Sequence, residues 1–301
     1  MYVPLHLHTK YSFLDGLICI DDLVEWLKTN EVTACAITDH NCMWGVVEFY
    51  QKLTAANIKP IIGCEFYVKD VHSEKKLHIT LLAKNNEGYY NLLRLYKKSF
   101  TPPRDRFIDL ELMEQYSEGI ICLTGCLSGH ITSCLTGKNK NNPIFLVTKY
   151  MDIFKNNLFV EIMPNSLPEQ VSVNDELIEL ANKFSIPVVM TCDSHYIKQS
   201  DSRYQDIVRA ISFHQTMDNN KYKYSASDFW LLSYEEILSM VKKHHGEKTN
   251  SIAKQALKNT INIARSVSVD IDYSGDYYPK FSGSYDYIDY NKIIGARNFL
   301  G

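Results

Sequence analysis

The sequence predicts an α/β barrel of repeated strand–helix units, seven strands in all and one unit short of a TIM barrel. Three observations carry that expectation. Short runs rich in Val, Ile and Leu alternate with amphipathic helical segments over the first two-thirds of the chain. Most of the runs are apolar on both faces, as strands of a parallel sheet covered on both sides should be. Side chains able to bind metal or move protons fall at the ends of these runs, where barrel enzymes keep their catalytic groups.

The first run, "YVPLHLHT", alternates apolar and polar residues as a strand does. Residues two apart on a strand share a face, so His6 and His8 point one way and Leu5 and Leu7 the other. Asp15 follows in the next loop. The segment "DDLVEWLKTN" reads as the first helix, with Asp21 as its expected N-cap. "VTACAITDH" is the second strand and ends in Asp39 and His40. The helix "MWGVVEFYQKLTAAN" leads to a third strand, "KPIIGCEFYV", which carries Glu65. "KLHITLLAK" brings His78, and the helix "NEGYYNLLRLYKKSF" follows. "GIICLTG" runs into Cys126. "LFVEIMP" is the sixth strand, between the helices "PIFLVTKYMDIFKNN" and "VNDELIELANKF". "IPVVMTCDSH" is the seventh and ends in Asp193 and His195. Further helical segments follow up to about residue 267. From about residue 270 the chain turns rich in Tyr, Gly and Asp and reads as a linker or tail.

Composition sets the outer bounds. The chain has 301 residues, 45% of them hydrophobic, enough for one large domain or two smaller ones. A net charge of −3 provides no global basic field, so any contact with DNA has to come from local patches. Eight cysteines form no CxxC pair, and the N-terminal Met leads straight into a strand; reduced thiols in a cytoplasm are expected, with nothing preceding the fold. No apolar run reaches membrane-spanning length, so no membrane contact is expected.

Any one of these polar residues has a bland structural explanation, but nine of them on six strands do not share one. Five histidines, three carboxylates and one cysteine exceed the needs of a single tetrahedral zinc. They point to two or three divalent ions with bridging carboxylates. Mixed nitrogen and oxygen donors suit zinc, manganese or iron better than calcium or magnesium. Closely spaced ions of this kind clamp the attacking and leaving oxygens in phosphoester displacement.

The stretches "HLHTKYSFLDG", "AITDH", "GCEFYV", "LHITLLAKNNEGYYNL", "LTGCLSG" and "TCDSHY" resemble the PHP (polymerase and histidinol phosphatase) domain of the bacterial replicative DNA polymerase III alpha subunit. The resemblance runs through about residue 270, and "LLAKNNEGYYNL" and "FWLLSYEEI" belong to the polymerase branch of the family. It implies a distorted seven-stranded, TIM-like barrel over residues 1–270 with a helical C-terminal extension, and a tail over 271–301. It also implies a three-metal centre. His6, His8, Glu65 and Asp193 would hold one ion, Glu65, His78 and Cys126 a second, and Asp15, His40 and His195 a third. Asp39 falls outside that set and is read as a residue supporting the ligands or capping a helix. The implied activity is metal-assisted 3′–5′ exonuclease cleavage of DNA. The implied partners are DNA and the remainder of a polymerase, in the cytoplasm. Palm, fingers and thumb are expected to be missing from this chain. A histidinol-phosphatase-like phosphomonoesterase and a non-catalytic, metal-stabilised module are the alternatives. An amidohydrolase would want a bridging lysine where Glu65 stands. Arg94, Lys97, Lys98, Arg104 and Arg106, with Tyr89, Tyr90 and Tyr96 nearby, form the one basic and aromatic stretch that could steer single-stranded DNA.

Overall fold

The apolar runs become strands of one six-stranded sheet, ordered as in the chain: β1 (Ala34–Ile37), β2 (Lys59–Asp70), β3 (Ser73–Ala83), β4 (Ile120–Leu123), β5 (Leu158–Ile162) and β6 (Val188–Met190). The computed structural model describes residues 1–70, 73–102, 105–219, 226–273 and 275. The chain divides into two units, Met1–Asp270 and Ile271–Gly301. Most of the second unit, and with it most of the expected tail, lies outside the described residues, as do His72 and Arg104.

Two expectations need correction. The sheet is not parallel throughout, because β3 runs antiparallel to both β2 and β4. Only two residues separate β2 from β3, and a parallel crossover needs a dozen or more. The pair is therefore a hairpin, and the repeat of strand–helix units breaks there. The first expected strand is also not a regular strand. Leu5 and Leu7 are fully buried, but so are His6 and His8, and its ladder is reduced to isolated bridges, one of them Leu7 with Ser194. Pro4 has no amide hydrogen to give. The amides of Val3 and Leu7 donate to the hydroxyls of Thr260 and Thr38, at 2.9 and 2.8 Å, rather than to carbonyls.

This extended N-terminal segment nevertheless fills the seventh place in the ring. On one side it accepts hydrogen bonds from Ala36 and Thr38, in and just after β1, through the carbonyls of Pro4 and Leu7. On the other, the His8 amide donates to the Ser194 carbonyl, just past β6, at 2.8 Å. Inside the ring, Leu5, Ala36, Ile61, Leu82, Ile121, Leu123 and Val189 share one apolar cluster. Ile263 and Ala264, on the helix Glu247–Ser266, pack into the same cluster, so the helical extension is part of the core.

The expected helices form, with shifted starts. The first begins at Ile20, so Asp21 lies in its first turn and not at the cap; its carboxylate pairs with Lys52 at 2.7 Å. The helix Pro168–Phe184 begins five residues before its expected start, at Pro168, a residue suited to a first helical turn. Cys122 and Cys192 are buried, as core thiols should be.

Candidate metal centre

The nine singled-out side chains meet at one rim of the ring. His6 and His8 come from the N-terminal segment, Asp15 from the loop after it, and His40 from just beyond β1. Cys126 follows β4, and Asp193 and His195 follow β6. Glu65 and His78 are not at strand ends. Each stands inside a long strand, and the register pairs Glu65 with Thr80 and Tyr67 with His78. Because β3 runs backwards, its early residues reach the rim that the other strands approach with their last ones. The structure thus recovers the place of His78 by a route different from the expected one.

Two backbone features aim these side chains. Asp193 has a φ of +50°, a left-handed conformation that aspartate tolerates better than most residues. Its carbonyl accepts the Nδ1–H of His195 at 2.7 Å, so Asp193 and His195 both enter the cluster from one tight turn. At Gly16 a Cβ would stand 2.3 Å from the Thr9 carbonyl oxygen, so only glycine lets the loop carrying Asp15 fold back on the first segment.

Glu65 is the hub. Its Oε1 lies 3.4 Å from His6 Nε2, 3.0 Å from His78 Nδ1 and 3.7 Å from Cys126 Sγ. Its Oε2 lies 2.7 Å from His40 Nδ1 and 3.5 Å from His8 Nε2. Asp193 Oδ1 is 3.0 Å from His8 Nε2 and 3.4 Å from His6 Nε2. Asp15 Oδ2 is 3.2 Å from His40 Nε2 and 3.7 Å from His195 Nε2. Cys126 Sγ is 3.6 Å from His78 Nδ1.

Whether a divalent metal fits these residues can be judged from their unsatisfied atoms. His6 Nε2, His8 Nε2, His40 Nδ1, His195 Nε2, Glu65 Oε2 and Asp193 Oδ1 are all buried with no properly oriented hydrogen-bond partner. Buried polar atoms are nearly always satisfied, and each one that is not costs about 1–3 kcal/mol. Here six converge at distances too long or angles too poor for hydrogen bonds. Three groups each bring their donor atoms within 4.8 Å of one another: His6, His8 and Asp193; His8, His40 and His195; and His40, Glu65 and His78. That is a metal-binding geometry, and the donor chemistry fits.

The PHP domain profile matches residues 4–165, more than half of the chain. The chain belongs to the PHP domain family. A DNA polymerase III subunit alpha from Thermus aquaticus is 34% identical over 288 residues, covering 90% of this chain and 23% of that protein. Another from Treponema pallidum is 35% identical, covering 93% and 24%. This chain thus spans about a quarter of the length of these curated relatives. Among solved structures, an amidohydrolase from Chromobacterium violaceum gives a TM-score of 0.42 at 13% identity over 65% of this chain and 88% of that one, a likeness too distant to bear on the site.

The PHP domain orients its imidazoles with a second set of residues. His8 Nδ1 meets Ser12 Oγ at 3.0 Å, and Ser12 donates to Asp39 at 2.7 Å. Asp39 also accepts from the Thr9 amide and hydroxyl. It therefore braces Ser12 behind the His8 ring, and among the described residues it caps no helix. Burial, followed by the charges of His40 and His195, pushes the His8 pKa down to about 3. The ring is neutral at pH 7, with its proton on Nδ1 and its lone pair on Nε2 facing the cluster.

Glu161 in β5 is one residue that sequence reasoning missed. It is buried, its Oε1 is 2.8 Å from His6 Nδ1, and it accepts from Thr191 and from the Gly125 amide. The signal was present in "LFVEIMP", an acid inside an apolar strand. Burial opposes charge on His6, but Glu161, Asp193 and Glu65 outweigh it and hold its pKa well above the usual imidazole value. Burial, with Glu65 and Asp193 adding to it, keeps the Cys126 thiol pKa well above its usual value, so a metal ion would have to displace that proton. Arg209, on the helix Ser202–Ser212, was also missed; it lies 3.2 Å from Asp15. Supporting partners of metal-binding histidines are worth about 10–100-fold in metal affinity. Glu161→Gln is accordingly expected to weaken metal binding by about that factor while leaving the fold intact, because glutamine keeps the volume. Metal titration followed by elemental analysis checks it, and an unchanged affinity would remove Glu161 from the centre.

A cleft of about 990 Å³ opens over this rim. Of the basic and aromatic stretch, Tyr96 and Arg106 line it. Arg94 is instead tied to Glu87 at 2.6 Å on the helix Asn86–Ser99.

Proposed function

We propose that residues 1–270 form the PHP domain of a DNA polymerase III alpha subunit, followed by a tail at 271–301, and that the centre is a metal-dependent phosphodiesterase acting on the 3′ end of DNA. The observation that carries this reading is the convergence of six unsatisfied buried donor atoms, three of them on residues that line an open cleft (His40, Asp193 and His195). Kinship with the polymerase subunits supports the substrate class and the partners: DNA and the polymerase body, in the cytoplasm. Among the described residues no helix is long and apolar enough to cross a membrane.

Two or three ions, zinc, manganese or iron, are proposed. His6, His8, Glu65 and Asp193 would hold the first, Glu65, His78 and Cys126 the second, and Asp15, His40 and His195 the third. Bound there, such ions would supply Lewis acidity toward a phosphate and its leaving oxygen. The protein's own part is positional. Ser12, Glu161 and the Asp193 carbonyl fix three rings with their Nε2 atoms inward. Lys76 and Arg106 at the cleft wall place positive charge where a phosphate backbone would run. Burial of the donor set keeps bulk water from competing for it.

The deciding experiment incubates the purified chain with 3′-recessed and single-stranded DNA and each divalent ion in turn. Shortening from the 3′ end that His8→Ala abolishes is the expected result. No shortening with any ion would leave the centre as a metal-stabilised structural module.

A further inference from the structure

We propose that Phe13 and Trp44 form a stacking platform for unpaired DNA bases at the mouth of the metal centre. The inference takes its location from the phosphodiesterase reading above, but its test does not depend on cleavage.

Both side chains line the cleft that opens over His40, Asp15 and His195. Phe13 is 81% exposed and Trp44 71% exposed. A large aromatic side chain left in water forgoes about 1.5–3 kcal/mol of burial, so two at the rim of one cleft call for a ligand. Of the other mouth aromatics, Tyr96 packs edge-on against Phe100 at 5.0 Å, and the rest have cations over their rings. Lys76 Nζ sits 4.8 Å from the Tyr67 ring, Arg106 5.8 Å from Phe100 and Arg209 5.5 Å from Phe213. Phe13 and Trp44 keep their faces to solvent.

They are also held in place. Ser12, next to Phe13, donates to Asp39 and accepts from the His40 amide at 3.1 Å, so the loop bearing Phe13 is tied to the one leading to Trp44. The Tyr11 ring lies against Gly45, where a Cβ would come within 2.5 Å of it. The Trp44 amide donates to Cys42 Sγ at 3.5 Å, which ties down the backbone that carries the indole. Rigid exposed rings beside cations that follow a phosphate backbone are how proteins hold single strands without reading sequence. Paired bases offer their faces to each other; unpaired ones offer them to the protein. The platform therefore favours a single-stranded or frayed 3′ end over a paired one.

The test measures binding of the full chain to dye-labelled phosphorothioate oligothymidylate, to an abasic phosphorothioate oligomer of the same length, and to a blunt duplex. Wild type should prefer the oligothymidylate. Phe13→Ala and Trp44→Ala should each weaken that complex by about 5- to 100-fold and leave abasic binding unchanged. Phe13→Tyr and Trp44→Phe should restore most of the loss, which a merely structural role would not require. Equal affinity of wild type for the base-bearing and abasic oligomers overturns the proposal. So does an equal loss for both oligomers in the alanine variants, or tighter binding of the duplex. Base-dependent binding without cleavage would leave the platform standing and sink the phosphodiesterase. Cleavage with base-independent binding would do the reverse.

Discussion

Glu65→Gln should strip the centre of most of its metal, with affinity falling by more than the roughly 100-fold that losing a supporting residue costs. No other side chain in the cluster reaches as many donors: His6, His8, His40, His78 and Cys126 all lie within 3.7 Å of one of its two oxygens. The amide keeps the shape but removes the charge and turns one oxygen into a donor that faces other donors. Asp15→Asn is the comparison. Asp15 meets two imidazoles, and its side chain is 20% exposed, so water can take over part of its role. If Asp15→Asn lost as much metal as Glu65→Gln, the central place of Glu65 would be wrong. Stability should fall as well. Without metal, Glu65 is the countercharge for His6 and His40, and breaking a buried ion pair by removing one partner costs about 3–5 kcal/mol.

Chelation should lower the melting temperature, and by more at higher pH. An ion at a thousand times its dissociation constant stabilises the folded state by about 4 kcal/mol. In a domain of this size that is a shift of about 10 °C. The pH dependence follows from the shifted groups. Burial opposes charge on Glu65, but His78, His6 and His40 reverse that and hold its pKa well below the ordinary 4.5. Its contribution is complete above 4.5 and is lost as pH falls toward its folded value. His6, His40 and His195 are held above the ordinary 6.5 by their carboxylates, against burial. Their contribution is complete below 6.5 and is lost as pH rises through their folded values. His8, pushed down to about 3, opposes folding below 6.5 and not above it. Metal-free protein should thus lose stability as pH rises above about 6.5. The loaded form should gain it, because metal must displace those same protons. Scanning calorimetry with and without chelator reads both slopes, and proton release on metal addition gives an independent check. Melting temperatures that ignore chelator at every pH would dismiss a structural metal.

Much of the site was legible because a strand's period of two is rigid. "HLH" puts two imidazoles on one face whatever surrounds it, and "CDSH" places its acid and imidazole in one turn. Strand direction was not legible. "KLHITLLAK" has the same periodicity whether it runs with or against its neighbours, and only the short link from β2 decides between them. The failure of a regular ladder in "YVPLHLHT" could have been foreseen at Pro4, but not the threonine hydroxyls that take its place. Glu161 escaped because attention to strand ends passes over an acid inside a strand whose work is done through His6. Arg209 escaped for another reason. It lies on an ordinary amphipathic helix, and only contact with Asp15, 194 residues earlier, gives it meaning.

The N-terminal segment that closes the ring has a consequence for the order of assembly. Its partners are far away along the chain: Ser194 for His8, Leu232 for the Tyr2 hydroxyl and Thr260 for the Val3 amide. Loops of that length carry a closure entropy, and contacts so distant in sequence form late. These residues must wait for nearly the whole domain before they can dock. Until they do, His6 and His8 have no Asp193 beside them, and the ring has an open edge next to β1. Metal would therefore be acquired late in folding, and an early intermediate would expose that edge to pairing with another chain.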